Sequence, residues 1–324
     1  MRQRALRPRP VSTKLPTAMT NEPATVVWRF VDGKRGHENQ SLGLVEALAR
    51  LRNLDIHTLC VTKSSRLSST FAWLLGRFSD GRLLPKPNLV IGAGHATHIP
   101  MLAAKRARGG KTIVLMNPSL PLSCFDLCVI PEHDEPRERA NVVITHGVLN
   151  RIQRATTLNA KNGLILLGGP SEHYRWSDER LLEQLSIIVT DSIVEHWTVA
   201  TSRRTPVEVL PMLRHLNNDR LSLVAVDSVD SDWLTTELMR CANIWVTQDS
   251  VSMVYEALTA GAATGILEVP ARGTSRVHRG VEKLVGDGWV TSFSQWRAGD
   301  SLRQAPGTFH EAHRTASLIA QKWL

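Results

Sequence analysis

The chain has 324 residues, 42% hydrophobic and 21% charged, with a mean hydropathy of -0.13. That balance builds a sizeable core, and the length suits two ordinary domains. It excludes a disordered chain, a collagen-like chain and a disulfide-stapled miniprotein, and no apolar run reaches the roughly 18 residues of a membrane-crossing helix.

Net charge is +9, from 39 Lys and Arg against 30 Asp and Glu. Part of it is local: Arg2, Arg4, Arg7, Arg9 and Lys14 lie within the first twenty residues, which hold no acid. Pro8, Pro10 and Pro16 oppose an amphipathic transit helix there, and the apolar run of a secretory signal is missing. Residues 1–20 are therefore expected to form a disordered basic leader, with Met19 offering a second start. The remaining positive charge suits acidic ligands or lipid headgroups rather than nucleic acid. Of Cys60, Cys124, Cys128 and Cys241, only Cys124 and Cys128 are closely spaced. No second Cys or His pair stands at zinc-finger distance, so reduced thiols in a cytosol-like compartment and no metal are expected.

The folded part begins with a strand at about 25–30, a polar loop from Asp32 to Asn39, and a helix carrying Leu42, Val45 and Leu48. Strands follow at about 55–61, 88–91 and 112–116, with a helix around 67–78 and another ending near Arg108. Two short strands are expected at 127–130 and 142–144, then a polar linker over 146–162. The pattern then restarts. Strands are expected at 163–167, 197–200, 221–226, 244–247 and 263–269, interleaved with helices at 177–191, 207–217, 232–241, 250–260, 276–285 and 309–323. Apolar strands alternating with helices predict parallel sheets covered on both faces. The fold class is thus α/β, with two doubly wound, Rossmann-type domains facing an interdomain cleft. Domain one runs over about 21–150 and domain two over 151–324, with the last helix packing back on domain one.

In doubly wound domains ligands lie at the carboxyl ends of strands. Glycines, hydroxyls and basic residues concentrate in loops at those ends. In the first loop, Gly33 and Gly36 let a ligand approach the backbone, with Lys34 and Asn39 beside them. His37, near Asp32 and Glu38, has the makings of a general base, or of a solvated turn. Lys34 does not have the glycine spacing of a P-loop. Gly94 and His95 follow a later strand in a Gly-x-Gly turn without the third glycine of a dinucleotide fingerprint. Asn117 and His146 occupy two further strand ends. In the second half, Gly169, Ser171, Ser202, Arg203 and Arg204 suit a diphosphate or a tight turn. Gln248, Asp249, Ser250 and Ser252 stand at a helix N-terminus, where free N–H groups and the dipole make an anion site, or a plain cap. Glu256 lies about two turns in, placed to accept from sugar hydroxyls. Asp230 and Asp232 precede a helix and read as capping residues before a cation site. Trp73, off the apolar stripe of the 67–78 helix among Arg66, Arg77 and Arg82, could meet a membrane surface or pack in the core.

Taken together, the segments 32–44, 90–98, 116–119, 144–148 and 247–257 resemble the ELM (elongated mitochondria) mitochondrial-fission family, over about residues 25–290. The resemblance implies a GT-B-like fold. The order of motifs is more distantly similar to the lipid-linked N-acetylglucosaminyl transferase of peptidoglycan synthesis. That likeness puts His37 on the acceptor-side histidine and Glu256 on the glutamate that holds the nucleotide ribose. Two departures stand out: Lys34 and Arg35 replace small residues before Gly36, and the second-half loop begins with Asp249 and Ser250 instead of a Ser-Gly pair.

The expectation is a metal-independent GT-B glycosyltransferase with a nucleoside-diphosphate sugar as donor substrate and no further cofactor. Ser250 and Ser252 would meet the phosphates, Arg203 or Arg204 would supply positive charge, and His37 would act as base, oriented by Asp32 or Glu38. An envelope or lipid-linked acceptor implies a cytoplasmic protein at the inner membrane face. The alternatives are a non-catalytic interaction protein recruiting a membrane-remodelling partner, and a nucleotide-sugar epimerase.

Overall fold

The computed structural model describes residues 11–13, 23–61, 76–216, 218–230 and 232–324. Two compact units emerge, one comprising Met1–Arg151 and Glu311–Leu324, the other Ile152–His310.

The first unit is built on β1 (Val11–Thr13), β2 (Thr25–Val31), β3 (Leu54–Cys60), β4 (Leu89–Ala93), β5 (Lys111–Leu115), β6 (Leu127–Pro131) and β7 (Val142–Thr145). Their order across the sheet is β1-β3-β2-β4-β5-β6-β7. All pairs are parallel except β1 with β3. The antiparallel edge strand corrects the expectation of a wholly disordered leader: Val11–Thr13 pairs with Ile56–Thr58. The 67–78 helix and Trp73 fall largely or wholly outside the described residues.

Along β2 the side chains alternate, as the period of an extended chain requires. Val27 joins a core with Leu44 and Leu48 of α1 (Arg35–Ala49). Trp28 and Phe30 join the opposite core with Met101 of α2 (His98–Arg108). Arg29 lies on the α1 side, 8% exposed. Its Nε donates to Ser41 Oγ at 3.0 Å and its Nη2 to the Glu38 carbonyl at 2.9 Å, so the buried charge pins the start of α1 to the sheet. Burial pushes the Arg29 guanidinium below its ordinary pKa. The last helix of the chain, α8 (Glu311–Trp323), packs against α1 through Ala312, Ala316 and Ile319.

The second unit holds β8 (Asn159–Leu166), β9 (His196–Ala200), β10 (Leu221–Val224), β11 (Cys241–Thr247), β12 (Ala263–Leu267) and β13 (Thr291–Ser292). The order is β10-β9-β8-β11-β12-β13, every pair parallel. Its helices are α3 (Asp178–Asp191), α4 (Val209–Arg214), α5 (Trp233–Leu238), α6 (Val251–Ala260) and α7 (Arg276–Gly286). Ser177 caps α3 by accepting from the Arg180 N–H. β8 begins four residues before the expected strand, within the expected linker, and β13 has no counterpart in the sequence pattern. The α4 and α5 helices are shorter than expected.

Both sheets reverse their strand order near the middle: between β2 and β4 in the first unit, between β8 and β11 in the second. At such a reversal the connections leave in opposite directions and expose the strands' carboxyl ends. All four cysteines are free thiols, and burial pushes Cys128 and Cys241 up to about 12.

Gly43 in α1 tests the close approach of the chain leaving this unit. A Cβ there would stand 2.2 Å from the Asn150 carbonyl oxygen. Alanine normally stabilises a helix interior by about 1 kcal/mol over glycine. Here the overpacking dominates, and Gly43→Ala is expected to destabilise the protein by about 2 kcal/mol, read as a lowered melting temperature.

Candidate functional site

Each unit carries a cluster of polar side chains at its reversal point. In the first, β2 ends and the chain turns through Asp32 and Gly33 into α1. His37 Nδ1 lies 2.9 Å from Asp32 Oδ2, with the Asp32 side chain 2% exposed and that of His37 18%. A carboxylate there favours the proton on Nδ1 and leaves Nε2 as the basic nitrogen. The other Asp32 oxygen accepts from the Lys34 N–H at 3.2 Å. Glu38 turns away from His37, with Oε1 accepting from the Gly33 N–H at 3.1 Å. It braces the turn, and Asp32 orients the histidine.

Gly94, following β4, has φ +82, and a Cβ on it would meet His37 Nδ1 at 2.2 Å. The glycine admits the imidazole itself. Gly33 and Gly36 face open space, and Lys34 and Asn39 are exposed. The other predicted residues of this unit are more scattered. His95 and Asn117 are exposed at the ends of β4 and β5. His146 follows β7, its Nδ1 3.6 Å from Glu132. His98, the last residue of the 90–98 motif, is 2% exposed, with its Nδ1 3.3 Å from the Ser119 hydroxyl oxygen. Burial pushes it down to about 4, so it is neutral at physiological pH.

In the second unit the centre is Asp249, whose side chain is fully buried. Its Oδ2 accepts from the Gly169 N–H at 3.0 Å, Arg204 Nη2 at 2.7 Å and the Ser250 hydroxyl at 3.1 Å. Arg204 Nη2 also reaches Ser250 Oγ at 2.9 Å, and Nη1 donates to the Gly169 carbonyl at 3.1 Å. Ser202 Oγ donates to the Gly168 carbonyl at 2.8 Å, while Thr247 Oγ1 accepts from the Gly168 N–H at 2.7 Å. Three loops, after β8, β9 and β11, are thus tied into one knot at the tip of α6.

This geometry corrects two expectations. Ser250 is 4% exposed and its hydroxyl is engaged by Arg204 and Asp249, so it is not an open phosphate donor. Gly168 and Gly169 make room for protein, not ligand: a Cβ would meet Ser250 Oγ at 2.1 Å and the Arg204 carbonyl oxygen at 2.0 Å, respectively. What faces outward is Ser252, Arg203 and the Arg204 side chain, 44% exposed. The first-turn N–H groups of Val251 and Ser252 have no carbonyl partner within the helix. Ser171 accepts from the His173 N–H in a local turn, and Gln248 Oε1 accepts from the Val269 N–H at 3.5 Å. Asp230 Oδ1 accepts from the N–H groups of Asp232 and Trp233, as a capping residue does. Among the described residues, no group of three His, Cys, Asp or Glu could hold a metal ion, and no helix is long and apolar enough to cross a membrane.

Residues 35–323 match the family described as mitochondrial fission ELM1. The chain belongs to that family. An uncharacterized Rickettsia prowazekii (strain Madrid E) protein, RP120, is 22% identical over 249 residues, covering 61% of this chain and 70% of its own. Two solved structures share the fold over 92% of this chain and 88% of theirs. One is an S. aureus MnaA–UDP co-structure, with 13% identity and a TM-score of 0.51. The other, from Listeria monocytogenes, is provisionally named a UDP-N-acetylglucosamine 2-epimerase, with 15% identity and a TM-score of 0.53. Family and neighbours agree with the GT-B-like, twin Rossmann-type architecture.

Glu256 sits half-buried on α6, and burial of its carboxyl pushes it from 4.5 up to about 7. Between those values the native state holds a proton that the unfolded chain has lost. Stability contributed by this group therefore falls as pH rises from about 4.5 to 7 and is level above. Glu256→Gln is expected to flatten that slope and to gain about 2 kcal/mol at pH 8, after allowance for residual hydration. Urea denaturation at pH 5 and pH 8 checks it.

Proposed function

We propose that the second unit binds a nucleoside-diphosphate sugar and that the chain transfers the sugar to an acceptor hydroxyl held by the first. The observation that carries this reading is the half-exposed Arg204, fixed at the N-terminal tip of α6 by a buried carboxylate. A diphosphate would meet Arg204, Arg203, Ser252 and the free N–H groups of the first turn, with Asp249 and Ser250 holding the frame. Glu256 would accept from the ribose hydroxyls. The UDP of one fold neighbour's co-structure makes UDP the first nucleotide to try.

In the reaction, His37 Nε2 takes the proton of the acceptor hydroxyl while Asp32 steadies the imidazolium. The acceptor oxygen forms its bond to the anomeric carbon as the bond from that carbon to the diphosphate breaks. The departing diphosphate carries the electron pair away, and the fixed positive groups counter its growing charge. A lipid-linked acceptor fits the exposed basic residues Arg77, Arg82 and Lys86, which flank Leu83, itself 97% exposed, along the chain.

The second reading is a nucleotide-sugar epimerase, favoured by the epimerase name of one fold neighbour. Titration calorimetry with UDP separates both from a non-catalytic interaction protein. Micromolar binding, weakened about tenfold or more in Arg203→Ala and Glu256→Ala, is expected. No binding of any nucleotide would favour the interaction protein. His37→Ala is expected to bind UDP normally and to lose acceptor-dependent UDP release at least a hundredfold. A new sugar isomer formed without an acceptor would favour the epimerase.

A further inference from the structure

The segment leading into β4 is anchored on both sides of an outward-pointing leucine. Before it, Phe78 packs against Trp28 and Phe30, with ring centroids 5.8 and 5.9 Å apart. Gly81 lies so close to Trp28 that a Cβ there would stand 2.1 Å from the indole ring. After it, Leu84 packs against the same core. The backbone is held as well. Arg108 Nη2 donates to the Leu84 carbonyl at 2.7 Å, and Trp28 Nε1 to the Pro85 carbonyl at 3.1 Å. Ser79–Gly81 form one 3-10 turn, and the Leu84 N–H donates to the Gly81 carbonyl at 3.2 Å.

Leu83 stands between these anchors and is 97% exposed. The contacts that bury its neighbours keep its whole side chain in water, where apolar surface is unfavourable. Cations flank it along the chain: Arg77, Arg82 and Lys86 are exposed, and Asp80 is the one acid between residues 77 and 88. Arg106 of α2 adds a charge beside Gly76, where a Cβ would lie 3.7 Å from its Nε.

This pattern discriminates between partners. A stable protein interface needs roughly 800 Å² on each side. From 77 to 88 the exposed apolar residues are Leu83 and Pro85 alone. The other large exposed hydrophobics lie elsewhere, Ile193, Val207 and Met212 in the second unit and Leu318 on α8. An anionic bilayer asks for less: shallow entry of one apolar apex, with basic side chains reaching the lipid phosphates, each contribution adding to the other.

We propose that residues 77–86 dock the chain on an anionic lipid bilayer. Leu83 enters the boundary between headgroups and acyl chains, and Arg77, Arg82 and Lys86 pair with lipid phosphates. The contact needs neither nucleotide nor acceptor, so it goes beyond sugar transfer and does not rest on it.

Cosedimentation of the full chain with vesicles, without nucleotide, makes the test. Vesicles of phosphatidylcholine alone are compared with vesicles that also contain phosphatidylglycerol, which makes them anionic. The chain is expected to bind the anionic vesicles about tenfold or more tightly than the neutral ones, and to be released as salt rises. Leu83→Ser is expected to weaken binding about fivefold or more. The double variant Arg82→Gln, Lys86→Gln is expected to weaken it about tenfold or more. These side chains are exposed, so melting temperatures stay at the wild-type value. Undiminished binding by the folded variants would assign the attraction to Arg2, Arg4, Arg7, Arg9 and Lys14 near the start of the chain, and would overturn the proposal. So would equal binding to both kinds of vesicle, or none to either. A chain that binds anionic vesicles through Leu83 but binds no nucleotide would sink the sugar-transfer reading and leave this one standing.

Discussion

A buried aspartate at the carboxyl end of a central strand, holding a basic side chain, organises both polar clusters of this protein. Asp32 follows β2 and orients His37; Asp249 follows β11 and fixes Arg204. Each aspartate lies beside the point where its sheet reverses strand order. There the helices diverge and backbone N–H groups are left without strand partners, so a carboxylate can be buried and still be hydrogen-bonded. A buried charge of this kind tolerates little displacement, because losing its partner leaves it unsolvated. The position of the basic group is therefore tightly set.

The two clusters differ in what the aspartate leaves free. Asp32 engages one nitrogen of an imidazole and leaves the other available for proton transfer. Asp249 fixes one Arg204 nitrogen, and the permanently charged side chain stays 44% exposed. One arrangement suits moving a proton and the other suits holding an anion. Glu256 adds a third behaviour. Its carboxyl is poised near neutrality because burial disfavours the charged form, so a ligand that donates hydrogen bonds to it stabilises the ionised state.

Much of the fold was legible because the strands are continuous apolar runs and the helices have a clear stripe. β2, β11 and α3 lie within about three residues of their expected bounds. Edge elements were not legible. Val11–Thr13 and Thr291–Ser292 are too short to carry a periodic signal and depend on a neighbouring strand for their hydrogen bonds. At the sites, the sequence placed Asp32 and His37 in one loop, five residues apart, where local geometry decides their contact. It could not pair Arg204 with Asp249, which lie 45 residues apart.

What the amino-acid order determined by itself is therefore the α/β class, the twin repetition of strand and helix, and the loops that gather chemistry, since these rest on periodicity and short-range turn preferences. Only the tertiary structure decided what each glycine and hydroxyl does. Gly168, Gly169 and Ser250 serve the internal knot, because three loops converge on one buried carboxylate.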